Sequence, residues 1–122
     1  MEIYRDYIAG VQFARPDFTK LSIDDPLALV WEQDNKYDAR AIRIDHTATG
    51  QKLGYIKKID NLLIHNSLAD GNLLEANLTF IAPLDSDGTP MTPPYESLVV
   101  AIKATPKESA PDTEPISSDG NE

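Results

Sequence analysis

A chain of 122 residues, 41% hydrophobic and 25% charged, reads as one globular domain. It has no cysteine, which excludes disulfides and thiolate chemistry and fits a reducing cytoplasm, and no apolar run approaches the roughly 18 residues of a membrane span. A net charge of −9 argues against unaided, nonspecific duplex binding, which depends on neutralising phosphates, although a local basic patch still suits a short strand end.

Met1 to Asp6 is charged and lacks an apolar stretch, so no signal peptide is expected. Residues 3–14 are predicted to begin the fold. Strand alternation puts Val11 and Phe13 on one face and Gln12 and Ala14 on the other, and Gly10 before them permits a bulge. Arg15-Pro16-Asp17 breaks the strand. Phe18 to Asp25 is a connector, and Asp24-Asp25-Pro26 turns the chain into the next strand. Leu27 to Trp31 is apolar at every position, which predicts a strand buried on both faces or a barrel wall.

Glu32 to Lys36 is a polar turn. Ala41 to Ile44 is the partner strand, with Ile42 and Ile44 inward and Arg43 outward, and Gln51 to Ile56 follows a turn ending in Gly50. Residues 57–70 are predicted to form the one clear helix. Ile59, Leu62, Leu63 and Asn66 make its apolar stripe, widened by Ile64 and Leu68. Asp60 suits the positive end of the helix dipole, and Asp70-Gly71 is a stop signal.

Leu74, Ala76, Leu78 and Phe80 then alternate with more polar neighbours, the pattern of a half-buried strand. Pro83 to Pro94 is a long loop and Leu98 to Lys103 the last strand. From Lys107 onward five acids face one base, so the tail carries four of the nine net negative charges. Residues 106–122 have too little apolar surface to offset ordering and are expected to be disordered. Residues 1–105 are therefore expected to form one mainly β domain, a small β-barrel of about six strands with one helix near residues 58–70.

Catalysis has little to stand on. His46 in a turn and His65 in the helix lack metal-ligand spacing, and each is expected to be a surface or partly buried residue. Asp85-Ser86-Asp87-Gly88 lacks the ligands that complete a calcium loop and reads as a plain turn. Asp24-Asp25 is explained by a solvated loop. Neither enzyme activity, a metal nor a cofactor is expected.

Binding has more support. Tyr37 and Tyr55 could each stack on an unpaired base, Lys57 and Lys58 could hold phosphates, and Asp38 could accept a hydrogen bond from a sugar hydroxyl. That mixture suits a strand terminus better than a continuous backbone. The same residues also admit a plainer reading, with both tyrosines as barrel-rim core and the lysines as a solvated helix start.

Three segments carry a resemblance. They are Ala9-Gly10-Val11-Gln12-Phe13, then Leu29 to Ile44 with Glu32, Asn35, Tyr37, Asp38, Ala41, Ile42 and Ile44, and last Gly50 to Lys58 with Leu53-Gly54-Tyr55-Ile56. In order and spacing they resemble the HIRAN family, found at the N-terminus of Rad5-like and helicase-like DNA-remodelling proteins and as short standalone proteins. The central block is the specific one, and the resemblance covers about residues 8–103.

It implies an OB-like or SH3-like barrel that binds single-stranded DNA at a free 3′ end, and a helicase or other DNA-processing protein as a partner in DNA repair. Phe13 and Tyr37 would pack against terminal bases, Asp38 would recognise the 3′-hydroxyl, and Lys58, with Lys57 beside it, would lie near the phosphate. The expected DNA-binding set is Gln12, Phe13, Asn35, Tyr37, Asp38, Tyr55, Lys57 and Lys58. The chain departs from the DNA-binding members at Gln12 and Ala14, where they carry a basic residue and a second aromatic. The alternative is a protein-interaction or regulatory domain that has lost DNA binding.

Overall fold

The computed structural model describes residues 1–105, so the expected disordered tail lies outside the described residues. Six strands form one antiparallel sheet: β1 (Glu2–Tyr7), β2 (Pro26–Trp31), β3 (Ile42–His46), β4 (Lys52–Tyr55), β5 (Leu73–Ile81) and β6 (Leu98–Thr105). Their spatial order is β1-β6-β5-β2-β3-β4, and the sheet curls into a half-barrel. The mainly β, OB-like architecture expected from the sequence is what the chain adopts.

Two features shape the curl. β2 meets β5 only through Pro26 opposite Asn77 and Leu27 opposite Ala76, so the sheet is two three-stranded halves joined by a short seam. The opposite edges are drawn together by Ala9 and Tyr55, whose backbones exchange hydrogen bonds of 2.9 and 2.8 Å. Gly54 permits that approach. A Cβ there would lie 2.7 Å from Ile8 Cγ2 and closer still to the Ala9 carbonyl oxygen. Ile8, Ile42, Ile44, Leu53, Leu78 and Ile102 are wholly buried inside the curl. Ile42 and Ile44 point inward and Arg43 outward, as alternation predicts.

The helix α2 (Asn61–Ala69) packs against β3 and β5, one strand from each half. A 3₁₀ turn, Lys58–Asp60, leads into it. Its C-terminus is a Schellman motif: Asn72 N–H donates to the Ser67 carbonyl and Gly71 N–H to that of Leu68, with Gly71 at φ 80°.

Several expectations are corrected. The first strand stops at Tyr7; Gly10, at φ 76°, turns the chain into a single helical turn, α1 (Val11–Ala14). Two residues along a helix are about 200° apart, so Val11 is buried while Phe13 points outward, not to a shared face. β2 is not buried on both faces. Only Leu27 is buried, and Trp31 is partly exposed with its indole N–H on the Ala39 carbonyl.

In α2 the buried positions are Asn61, Ile64 and Ser67, whereas Leu62, Leu63 and Ile59 face outward. The expected stripe is displaced: Ile64 faces the sheet with Leu68 packed beside it, but Asn61 and Ser67 take the other inward positions. Phe80 leaves the core face because β5 bulges between Leu78 and Phe80, and its ring instead meets Tyr7 edge-on.

His46 is fully buried, not a surface or partly buried residue, and it is the last residue of β3. Its Nε2 donates to Asp25 Oδ2 and its Nδ1 accepts from Thr49 Oγ1, both at 2.7 Å, when the ring is neutral. The pair ties the β3–β4 turn to the turn before β2. The hydrogen bond from His46, followed by the Ser22 N–H, holds the Asp25 carboxyl below its ordinary value.

A depressed folded-state pKa gives stability that is present above the unfolded value of about 3.9 and is lost as pH falls through the folded value. Asp25→Asn is therefore expected to lower the melting temperature at neutral pH and to flatten its fall below about pH 4. Thermal melts across that range check this, and an unchanged acid limb would refute it.

Candidate nucleic-acid interface

The loop between β2 and β3 is organised by Asn35. Its Oδ1 accepts from the backbone N–H groups of Tyr37 (2.9 Å) and Asp38 (3.0 Å), and its Nδ2 donates to Glu32 Oε1 (3.1 Å). Such an Asx-type turn fixes the backbone and aims the next two side chains. Tyr37 is thrown outward, 92% exposed. Asp38 turns inward: its Oδ1 accepts from Arg40 N–H (3.0 Å) and its Oδ2 from Asn61 Nδ2 (2.6 Å).

The Arg40 N–H, then Asn61 and the charge of Lys58, hold the Asp38 carboxyl below the usual carboxylate range against a partial burial that opposes them. It is thus an anion at neutral pH. A carboxylate offers about four lone-pair sites and two are used, so it can accept another donor.

Tyr55 forms the facing wall. Its hydroxyl donates to Glu32 Oε1 (2.8 Å) and accepts from Lys52 Nζ (3.0 Å), and the Lys52 ammonium lies 4.6 Å from the ring centroid. Partial burial pushes Glu32 up, but hydrogen bonds from Tyr55, Asn35 and Arg43 outweigh it, and the net shift is downward.

Between these walls lies a groove of about 360 Å³, lined by Ala9, Gly10, Asn35, Tyr37, Asp38, Ala41, Tyr55, Ile56 and Lys58. Its aliphatic lining comes from Ala9, Ala41 and Ile56. Its polar side chains are one carboxylate, one ammonium, one carboxamide and two tyrosines. Among the described residues no group of three or more histidines and acids is placed to hold a metal, and no helix is long and apolar enough to cross a membrane.

The HIRAN domain profile matches residues 4–83. The chain belongs to the HIRAN family. Its fold is similar to the crystal structure of the HIRAN domain of human HLTF, with a TM-score of 0.61 at 15% identity over 86% of this chain and 77% of that one. It is also similar to a protein from Lactobacillus plantarum, with a TM-score of 0.60 at 21% identity over 84% and 95% of the two chains. No curated protein sequence matches it significantly.

Of the residues expected to act together in this HIRAN domain, Asn35, Tyr37, Asp38, Tyr55 and Lys58 line the one groove. Lys57 does not. Its Nζ donates to Asp6 Oδ1 at 3.0 Å and sits 6.0 Å from the Tyr7 ring, on β1. Gln12 lines a second groove of about 390 Å³, with Arg15, Pro16, Thr89 and Pro90 among its walls. Phe13 projects from α1, the turn that carries lining residues of the second groove and directly follows Ala9 and Gly10 of the first.

Sequence reasoning missed three contributors. Glu32 and Lys52 fix the Tyr55 hydroxyl, and Asn61, buried at the start of α2, orients Asp38. The Asn61 contact joins positions 38 and 61, and no local pattern announces it.

Proposed function

We propose that this HIRAN domain is a non-catalytic module that binds single-stranded DNA at a free 3′ end in the groove between Tyr37 and Tyr55. The observation that carries the reading is the pairing, on consecutive residues, of a solvent-facing tyrosine with an ionised carboxylate, beside Lys58. A base stacked on Tyr37 gains roughly 1–3 kcal/mol. The Asp38 carboxylate accepts a hydrogen bond from a terminal hydroxyl and repels a terminal phosphate, and Lys58 attracts the internal phosphate. A helicase or another enzyme that processes DNA is the corresponding protein partner.

The test compares short oligonucleotides ending in a 3′-hydroxyl or a 3′-phosphate at low salt. The hydroxyl form is expected to bind about tenfold more tightly, the worth of one charge-assisted hydrogen bond. Asp38→Asn is expected to abolish most of that preference. Equal affinity of the wild-type protein for both ends would sink the end-recognition claim.

A second reading is favoured by a different surface. Ile59, in the 3₁₀ turn before α2, is 89% exposed, and Leu62 and Leu63 on α2 are about half exposed, which suits a protein-interaction or regulatory role in an acidic domain. Capture of a protein partner that survives nuclease and is lost with Leu62→Ser would support that role.

A further inference from the structure

We propose that the second groove, on the far side of α1, takes the sugar–phosphate segment that lies 5′ of the seated strand end, with Arg15 as its phosphate contact. This rests on the strand-end reading of the first groove.

A strand seated by its terminal nucleotide must leave the first groove in some direction, and two larger depressions have lining residues that coincide with or directly follow its own. One shares Asn35 with it and is lined by Trp31, Glu32, Asp34 and Arg43. The Arg43 guanidinium there is held by Asp45 (2.9 Å) and Glu32 (3.1 Å), so its charge is already neutralised and the surface repels phosphate. The other lies across α1. None of its lining residues is acidic, and its one cation, Arg15, makes no ion pair among the described residues.

The nearest carboxylates in sequence, Asp17, Asp87 and Glu96, are not among the residues that line it. Gln12 and Thr89 add neutral groups of the kind that hydrogen-bond sugar and phosphate oxygens.

Geometry supports the same path. α1 rises about 6 Å over its four residues, comparable with two nucleotides of a stacked strand at about 3.4 Å each. Phe13, 83% exposed on that turn, offers a stacking face there. Arg15 itself sits at φ 51° and ψ 57°, a left-handed conformation rarely adopted by residues other than glycine. Glycine would fit this backbone with less strain, and it is the arginine side chain that gives the second groove its charge.

The experiment uses the full chain with thymidine 5′-monophosphate, which has a free 3′-hydroxyl and fills only the first groove, and with a tri-thymidylate. Arg15→Gly relieves the backbone strain while removing the charge, and a thermal melt confirms that it is folded. It is expected to bind the trinucleotide about tenfold more weakly and to lower the slope of log affinity against log salt by about 0.7, one phosphate on a single strand.

Binding of the mononucleotide is expected to be unchanged, and Arg15→Lys to restore the slope. A wild-type slope in Arg15→Gly, or equal weakening of both ligands, would overturn the assignment of Arg15 while leaving the first groove intact. Failure of the wild-type protein to bind either ligand would instead overturn the strand-end reading, and this inference with it.

Discussion

Replacing Tyr37 with alanine is expected to weaken binding of a short single strand about 30-fold and to leave the melting temperature where it is. The affinity figure follows from the roughly 2 kcal/mol midpoint for stacking one base on an aromatic face. The unchanged stability follows from burial: the side chain is 92% exposed, so its removal opens no cavity. The loop also survives, because Asn35 grips the Tyr37 backbone N–H and not its ring. Oligonucleotide titration with a parallel thermal melt measures both. Undiminished affinity would remove Tyr37 from the interface.

Gly54→Ala should do the reverse and damage the scaffold. At φ 153° the position is already one that side-chain-bearing residues rarely adopt, and the new methyl would collide with the Ala9 carbonyl and Ile8. Overpacking and backbone strain together are expected to cost about 3 kcal/mol, a fall of about 12–24 °C in melting temperature for a domain of this size. Gly50→Ala is the control. It shares a positive φ, 75°, but a Cβ there meets nothing within 4 Å, so only about 1 kcal/mol of strain applies. Equal losses in the two variants would mean that the close approach at Gly54 is not what matters.

The parts of the molecule readable from sequence are those built from near neighbours. Asn35, Tyr37 and Asp38 form one hydrogen-bonded turn, so their spacing encodes their geometry directly. The inward Ile42 and Ile44 follow from strand alternation in the same way. Legibility fails where a distant residue decides the outcome. Lys57 looks like a companion of Lys58, yet Asp6, 51 positions earlier, claims its ammonium.

The helix gives a second case. Large apolar residues predict one buried face, but the surface offered by β3 and β5 selects Asn61, Ile64 and Ser67. Val11 and Phe13 give a third. Four residues cannot distinguish a strand from one helical turn, and the left-handed Gly10 makes the choice. His46 is hidden for a similar reason, since its partner Asp25 sits 21 positions away.

The joining of the two sheet edges at Ala9 and Tyr55 also bears on when the groove comes into being. The wall from Asn35 to Lys58 belongs to β2, β3, β4 and the turns beside them, a run of consecutive segments with short loops to close. The other wall, Ala9 and Gly10, follows β1, which pairs with β6 at the far end of the domain. Of the six strands, synthesis delivers β1 first and β6, Leu98–Thr105, last. β1 therefore waits for its partner strand until β6 has been made. The pairing that anchors the segment leading into Ala9 and Gly10 thus becomes possible only once β6 has been made.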